Sequence, residues 1–257
     1  MYGVYSKLYA QWCECYDPNG IEISIITKHA SIQDSTILDI GCGTGRFIFK
    51  VLPKAAHVIG VDNDPESIKV LNELLKQKHS RYISKVEAFC QNIEEYKRNA
   101  NSIDLAIFTW SFYALNKIQA QKTILNLYSM LKQNGILMVL QPVGGQFEKV
   151  MRCYFAEHEN MDEYETALSN MDKVFFPFFT IKGKDRISSE FIVKDDTFMV
   201  ESLRMFAVTE GGCSENNLKN ITKESVLRET NKFKREDGFY HFSDEVDVFI
   251  YKKGGVV

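Results

Sequence analysis

One apolar run that ends in three alternating glycines constrains this chain more than any other segment. Ile37-Leu38-Asp39-Ile40 reads as a short buried strand, and Gly41, Gly43 and Gly45 follow at every second position. Glycine lets the backbone turn tightly and approach a ligand closely. Arg46 onward, with Phe47, Ile48, Phe49, Val51 and Leu52, reads as a helix, so the glycines occupy a strand-to-helix junction. Amides converging on such a loop form a polar cradle for a nucleotide or a carboxylate. The spacing is G-x-G-x-G, and Arg46 stands where the dinucleotide fingerprint would carry its last glycine. Asp39 adds a second constraint. A lone carboxylate inside an apolar strand costs several kcal/mol, by rough estimate, unless it is paired or hydrogen-bonded.

The rest of the chain repeats the strand-then-helix rhythm. His57–Asp62 reads as a second buried strand, and Pro65 starts a helix with Asn63 or Asp64 as its cap. A weaker strand follows around Ile83–Cys90, then a clear one over Ile103–Thr109. Ile118–Leu131 repeats apolar positions at helical spacing and stops at Asn134-Gly135, and Ile136–Leu140 is a fifth strand ended by Pro142. Such alternation implies a parallel sheet with helices on both faces. Past Gly144-Gly145 the rhythm changes: 146–182 reads as mostly helical, with an aromatic cluster over Val174–Phe179. Ile187–Val193 and Phe239–Tyr251 are the last strand candidates, with helical segments around 196–207 and 221–233 between them. Ligands of open α/β sheets sit at the carboxyl ends of the strands near the switch in strand order. Asp62, which closes the second strand 21 residues beyond Gly41, has the spacing of a ribose-binding acid.

Asp39 through Gly45 resembles the first motif of the class I S-adenosylmethionine (SAM) dependent methyltransferases, an acidic residue followed by G-x-G-x-G. The resemblance covers 5–145 well and the remainder loosely. It implies an α/β fold: a doubly wound, seven-stranded, mostly parallel sheet whose last strand runs antiparallel at the sheet edge, with a helical cap inserted after strand five. It divides the chain into an N-terminal helical lid (1–33), a SAM-binding core (34–145), a cap for the substrate (146–186) and a C-terminal part of the sheet (187–257). The implied cofactor site takes Asp39, Gly41, Cys42, Gly43, Gly45, Asp62 and Asn63 from the first two strands, Asn92 and Ile93 after the third, and Thr109 and Trp110 after the fourth. Asp39 would hold the methionine ammonium, directly or through water, and Asp62 the ribose. Asn92 stands where the family usually has an aspartate for the adenine amino group, and its carbonyl offers the same acceptor. Tyr9-Ala10-Gln11-Trp12 and Tyr16-Asp17 resemble the opening helix that folds over SAM, so Tyr9 and Tyr16 join the site. Aromatic faces attract a sulfonium by about 0.5–2 kcal/mol. Trp110 and the N-terminal aromatics have core packing as their other reading.

Composition narrows the partner. The 257 residues carry a formal charge of −3, which provides no general basic footprint for nucleic acid. No apolar run approaches the roughly 20 residues that span a bilayer, and the N-terminus has no signal-peptide pattern, so a cytoplasmic address and no membrane partner are expected. Six scattered cysteines provide neither a disulfide nor a metal framework, and no metal site is expected. The expected partner is a small-molecule methyl acceptor, the expected assembly a monomer or homodimer, and the product S-adenosylhomocysteine (SAH). The acceptor is read as an O or N atom of a metabolite. A base is unassigned; His158, beside Glu157 in the insertion, and His241 in the last strand are the candidates. Two other readings stay open: a non-catalytic SAM-binding sensor or partner protein, and a nucleotide-dependent oxidoreductase. An acceptor pocket plugged by Trp110 or by Phe175–Phe179 would favour the sensor.

Overall fold

The computed structural model describes residues 2–155, 171, 174–176 and 178–254. Seven strands form one sheet: β1 (Thr36–Ile40), β2 (His57–Asp62), β3 (Val86–Cys90), β4 (Ile103–Thr109), β5 (Leu131–Gly145), β6 (Phe179–Val193) and β7 (Tyr240–Lys253). Their order is β3-β2-β1-β4-β5-β7-β6. The first five run parallel, and β7 pairs antiparallel with both β5 and β6. The last strand is therefore antiparallel as expected, but it lies inside the sheet, and β6 takes the edge.

The strands are apolar on both faces because helices cover both. On one face Ile37, Val58, Leu105, Ile107 and Met138 pack with α2 (Ile21–His29) and α3 (Arg46–Val51). On the other, Leu38, Ile59, Ala106 and Leu137 pack with α5 (Lys117–Met130). Such burial contributes roughly 1.5–3 kcal/mol per large apolar side chain. A third cluster joins α1 (Ser6–Cys15), α6 (Gln146–Arg152) and α7 (Asp196–Thr209) to the ends of β6 and β7 through Trp12, Phe147, Phe191, Phe206 and Phe242. α4 (Pro65–Lys78) begins as expected, with Asp64 accepting from the Glu66 amide at 3.2 Å and Pro65 in the first turn. α8 (Lys223–Thr230) precedes β7.

Several strand boundaries differ from expectation: β3 starts at Val86 rather than Ile83, after a helical turn over Ser80–Lys85, and β5 starts at Leu131 rather than Ile136. β5 continues through Pro142 to Gly145. Its ladder with β4 ends at Leu140, so Pro142 has no neighbour on that side and a missing amide is tolerated there. β6 starts at Phe179 rather than Ile187, so 179–182 is strand and not helix. Its first half carries Thr180, Lys182 and Lys184 as exposed or half-exposed residues. An edge strand guarded by lysines lacks the apolar alternation that marks a strand in sequence.

Candidate functional site

β1 is flanked by β2 and β4, so the order of the parallel strands reverses there. A cleft opens over the carboxyl ends of these strands and encloses about 900 Å³, including the part open to solvent. Of the expected site residues, Tyr9, Gly41, Gly43, Asp62, Asn63, Asn92, Ile93, Thr109 and Trp110 line it. Asp39, Cys42, Gly45 and Tyr16 stand behind its walls.

The glycines divide the work of the loop. A Cβ on Gly41, where φ is +68°, would overlap the Ser111 side chain, whose hydroxyl bonds the Ile40 carbonyl. One on Gly45, at φ +94°, would lie 2.9 Å from Phe49. These two shape the turn. At Gly43 (φ +52°) the nearest atom is Tyr9 Cε1 at 3.7 Å, so its open side faces the cleft. Cys42 is buried beneath the loop, its sulfur 2.8 Å from where a Cβ on Gly60 would sit.

Asp62 closes β2 and accepts from the Gly43 amide at 2.8 Å and the Asp64 amide at 2.9 Å. Burial raises its pKa, and those two bonds oppose the rise. Because Asp64 caps α4, Asp62 is not needed as the cap. Asp64 also accepts from the amides of Tyr2 (3.2 Å) and Gly3 (3.1 Å) and from the Ser67 hydroxyl (2.9 Å), which ties the N-terminal segment to the cleft rim. The Asn92 carbonyl is engaged by the Asn63 side-chain amide at 3.0 Å.

Asp39 is fully buried. One of its oxygens accepts from the Thr109 hydroxyl at 3.5 Å, and the other has no partner. Burial pushes this carboxyl up to about 7, with Arg46 as the main opposing influence. Arg46 forms a buried ion pair with Glu22 of α2, and its guanidinium lies 4.8 Å from the Trp110 ring centre and 5.2 Å from that of Tyr16. Its Nη2 atom has no partner either. Tyr16 is buried and meets Trp110 edge-on at 4.4 Å. Tyr2 stacks on Tyr9 at 3.7 Å.

Sequence reasoning left several wall residues out of the site: Tyr2, Asp64, Ser111 and Tyr113 line the cleft, and Arg46 sits beneath it. Tyr2 lies just ahead of α1, and Ser111 and Tyr113 lie in the loop after β4. Nothing local pairs Arg46 with Glu22, which lies in a different helix. His158 lies outside the described residues. His241 is far from these walls in role: its ring nitrogens each meet a carboxylate at 2.9 Å, those of Glu190 and Asp237, and it does not line the cleft. Phe175 packs on Tyr251 (4.4 Å) and Phe112 (5.3 Å) in the core and does not line the cleft. Among the described residues no group of His, Cys, Asp and Glu is arranged to hold a metal ion, and no helix is long and apolar enough to cross a membrane.

A reversal of strand order roofed by a glycine loop, with acids at the ends of β1 and β2, defines a nucleotide-type site in an α/β sheet. The profile of the methyltransferase-domain family matches residues 32–234. The chain belongs to that family, within the class I SAM-dependent methyltransferases. Among curated proteins it is 23% identical over 159 residues to a carboxy-S-adenosyl-L-methionine synthase of Campylobacter lari, covering 61% of this chain and 65% of the relative. It is 29% identical over 164 residues to a malonyl-[acyl-carrier protein] O-methyltransferase of Priestia megaterium, covering 63% and 54%. The matches thus span between half and two-thirds of these relatives. Among solved structures, the MccD protein superposes with a TM-score of 0.58 at 15% identity, covering 91% of this chain and 96% of that one. A phosphoethanolamine N-methyltransferase 2 of Haemonchus contortus, solved with SAH, gives 0.54 at 16% identity, covering 92% and 53%. At such identities these likenesses establish the fold.

Proposed function

We propose that the cleft binds SAM and that the chain transfers its methyl group to an oxygen or nitrogen atom of a small molecule. The observation that carries this reading is Asp39: a buried carboxylate with one oxygen unpartnered, directly below the glycine loop. A cationic ammonium supplies the charge and the donors that this oxygen lacks. Gly43 leaves room for the body of the ligand, and Asp62 offers two carboxylate oxygens at the ribose position. Asn92 and Ile93 stand at the adenine end, where Asn63 must release the Asn92 carbonyl before a ligand amino group can use it.

SAM supplies an electrophilic methyl group on a sulfonium. The protein's part is alignment and exclusion of water, since in-line displacement needs a near-attack geometry and a desolvated nucleophile. Tyr2, Tyr9 and Trp110 provide aromatic walls for a sulfonium, and the Asp64 bonds hold the first of these in place. The malonyl-[acyl-carrier protein] O-methyltransferase and the phosphoethanolamine N-methyltransferase act, by their names, on a carrier-bound and a small acceptor, which supports a metabolite substrate. The sensor reading draws on Trp110, a bulky residue in the wall of the cleft. The arginine at the third-glycine position opposes a nicotinamide cofactor.

Calorimetric titration with SAM and SAH, with NAD as control, tests the assignment; binding of NAD alone overturns it. Asp62→Ala is expected to weaken SAH by about 1.5–3 kcal/mol, the range for hydrogen bonds to a charged group. An unchanged Kd in folded protein would remove Asp62 from the site. Gly43→Val is expected to weaken SAH at least about tenfold, a loss of about 1.4 kcal/mol, by filling the cleft and straining a left-handed backbone position. Normal SAH affinity in that variant would mean that the ligand does not approach the loop.

A further inference from the structure

The charge around the cleft is one-sided. Its lining includes Asp62, Asp64 and Glu94 and, among the described residues, no lysine, arginine or histidine. Arg46, beneath the cleft, is already paired with Glu22. A phosphate or carboxylate entering this space would meet acids and no basic side chain, an arrangement that rejects anionic ligands.

The part of the lining that the cofactor position leaves over is aromatic. Asn92 and Ile93 stand at the adenine end, Asp62 at the ribose and Asp39 at the ammonium. Tyr9 Cε1 lies 3.7 Å from where a Cβ on Gly43 would sit, and Tyr2 stacks on Tyr9. Both rings, with Tyr113, line the cleft itself. They face the stretch between ribose and ammonium positions, where the sulfur and its methyl group belong. An acceptor lying against these rings has no wall between it and the methyl group.

Tyr2 offers more than a ring. Its hydroxyl donates to Glu210 Oε1, just past α7, at 2.6 Å, while its backbone amide and that of Gly3 donate to Asp64. The residue is thus anchored at both ends. Burial first, and then Glu210, hold its pKa well above the ordinary range, so the phenol keeps its proton. That single proton is committed to Glu210, which leaves the oxygen lone pairs as acceptors. Glu210 also acts electrostatically on Tyr9, and Tyr113 on both tyrosines, so these groups share one end of the cleft. A hydroxyl ligand brings a donor but no charge to such surroundings. An amine brings N–H donors for the Tyr2 oxygen, a positive charge for the acids and a partner for the aromatic faces.

We propose that the methyl acceptor is a small amine, bound in the cleft against Tyr2, Tyr9 and Tyr113, with Glu210 as the residue that positions Tyr2. This rests on the methyl-transfer reading above and narrows its acceptor to nitrogen. The proton of the bound ammonium passes to the Tyr2 oxygen as the proton of that hydroxyl passes to Glu210. The freed nitrogen lone pair forms the bond to the methyl carbon, and the carbon–sulfur bond breaks with its electron pair going to sulfur.

The test is calorimetric titration of SAH-saturated protein with 2-phenylethylamine, 2-phenylethanol and 3-phenylpropionate, which share a ring and a two-carbon arm and differ in the polar group. Saturable amine binding, at least about tenfold tighter than either of the others, is the expected result. Glu210→Gln keeps the shape and removes the charge, so the amine-to-alcohol affinity ratio should fall at least about fivefold while SAH still binds. A merely structural loss would weaken the alcohol and SAH along with the amine. Tyr2→Phe keeps the ring and both amide bonds to Asp64, and should lower the same ratio. Equal binding of the three probes, preference for the carboxylate, no amine binding, a wild-type ratio in either variant, or a loss shared by all three probes overturns the proposal. The three-probe comparison on the wild type stands even if a variant fails to fold. Failure of SAH to bind in the loading step is a separate outcome: it overturns the cofactor assignment, and the amine acceptor with it.

Discussion

Replacing Arg46 by methionine is expected to destabilise the chain by about 3–5 kcal/mol, the usual cost of stripping one partner from a buried ion pair. Glu22 is 1% exposed and would be left as a buried carboxylate with no counter-ion. The guanidinium also fills the space between the rings of Tyr16 and Trp110, so its loss removes packing as well as charge. For a chain of this size the unfolding midpoint should fall by roughly 10 °C. The double variant Arg46→Met, Glu22→Leu should recover most of the loss, because replacing both partners of a buried pair by apolar groups is often neutral or stabilising. Denaturant unfolding of the wild type, the single and the double variant measures this directly. A single variant as stable as the wild type would mean that Glu22 is solvated.

The second large effect is a dependence of stability on pH. Burial pushes Asp39 up to about 7 in the folded chain, and burial reinforced by Glu148 does the same to Asp244. In the unfolded chain both titrate near 4. Between about pH 4 and pH 7 the folded state therefore binds more protons than the unfolded state, and stability falls as pH rises through that window. The unliganded protein should be most stable on the acid side, with each carboxyl costing up to about 4 kcal/mol by pH 8. Asp39→Asn removes one of the two charges while keeping the shape. Its advantage over the wild type should be about 2–3 kcal/mol larger at pH 8 than at pH 5, and its SAH affinity should be lower. A pH-independent difference in urea midpoint would contradict the buried position of this charge. Stability and ligand binding pull Asp39 in opposite directions, as expected where a site is kept ready for a cation.

The parallel half of the sheet was legible because its signals are local. Buried strands such as Ile103–Thr109 are unbroken apolar runs, and the helix after Asp62 announces itself through Asp64 and Pro65. Asp39 stood out because a carboxylate in such a run needs a reason. The remainder was hidden for a different physical cause: it depends on partners remote in sequence. Where β7 inserts is decided by pairing with β5 and β6, and no periodicity encodes that order. β6 begins early under a lysine-rich edge pattern that reads as polar. Arg46 was noticed only as the absence of a glycine, since its partners Glu22, Tyr16 and Trp110 come from three other segments. Trp110 is legible as a residue after the fourth strand, but its packing against Arg46 and Tyr16 exists only in the folded chain.

The interior position of β7 also bears on how the chain acquires its structure. β5 gains its second neighbour only when a strand from the far side of the insertion, β6 and α7 returns to it. Until that return, one side of β5 is an open row of amides and carbonyls along an apolar strand, a template for pairing with another chain. Contacts so distant in sequence form late, because the loop they close must be ordered first. The parallel half, with its nearer neighbours, can assemble earlier. The hazard of self-association is therefore concentrated in the interval when the ligand-binding half is built and its neighbouring edge is not yet sealed.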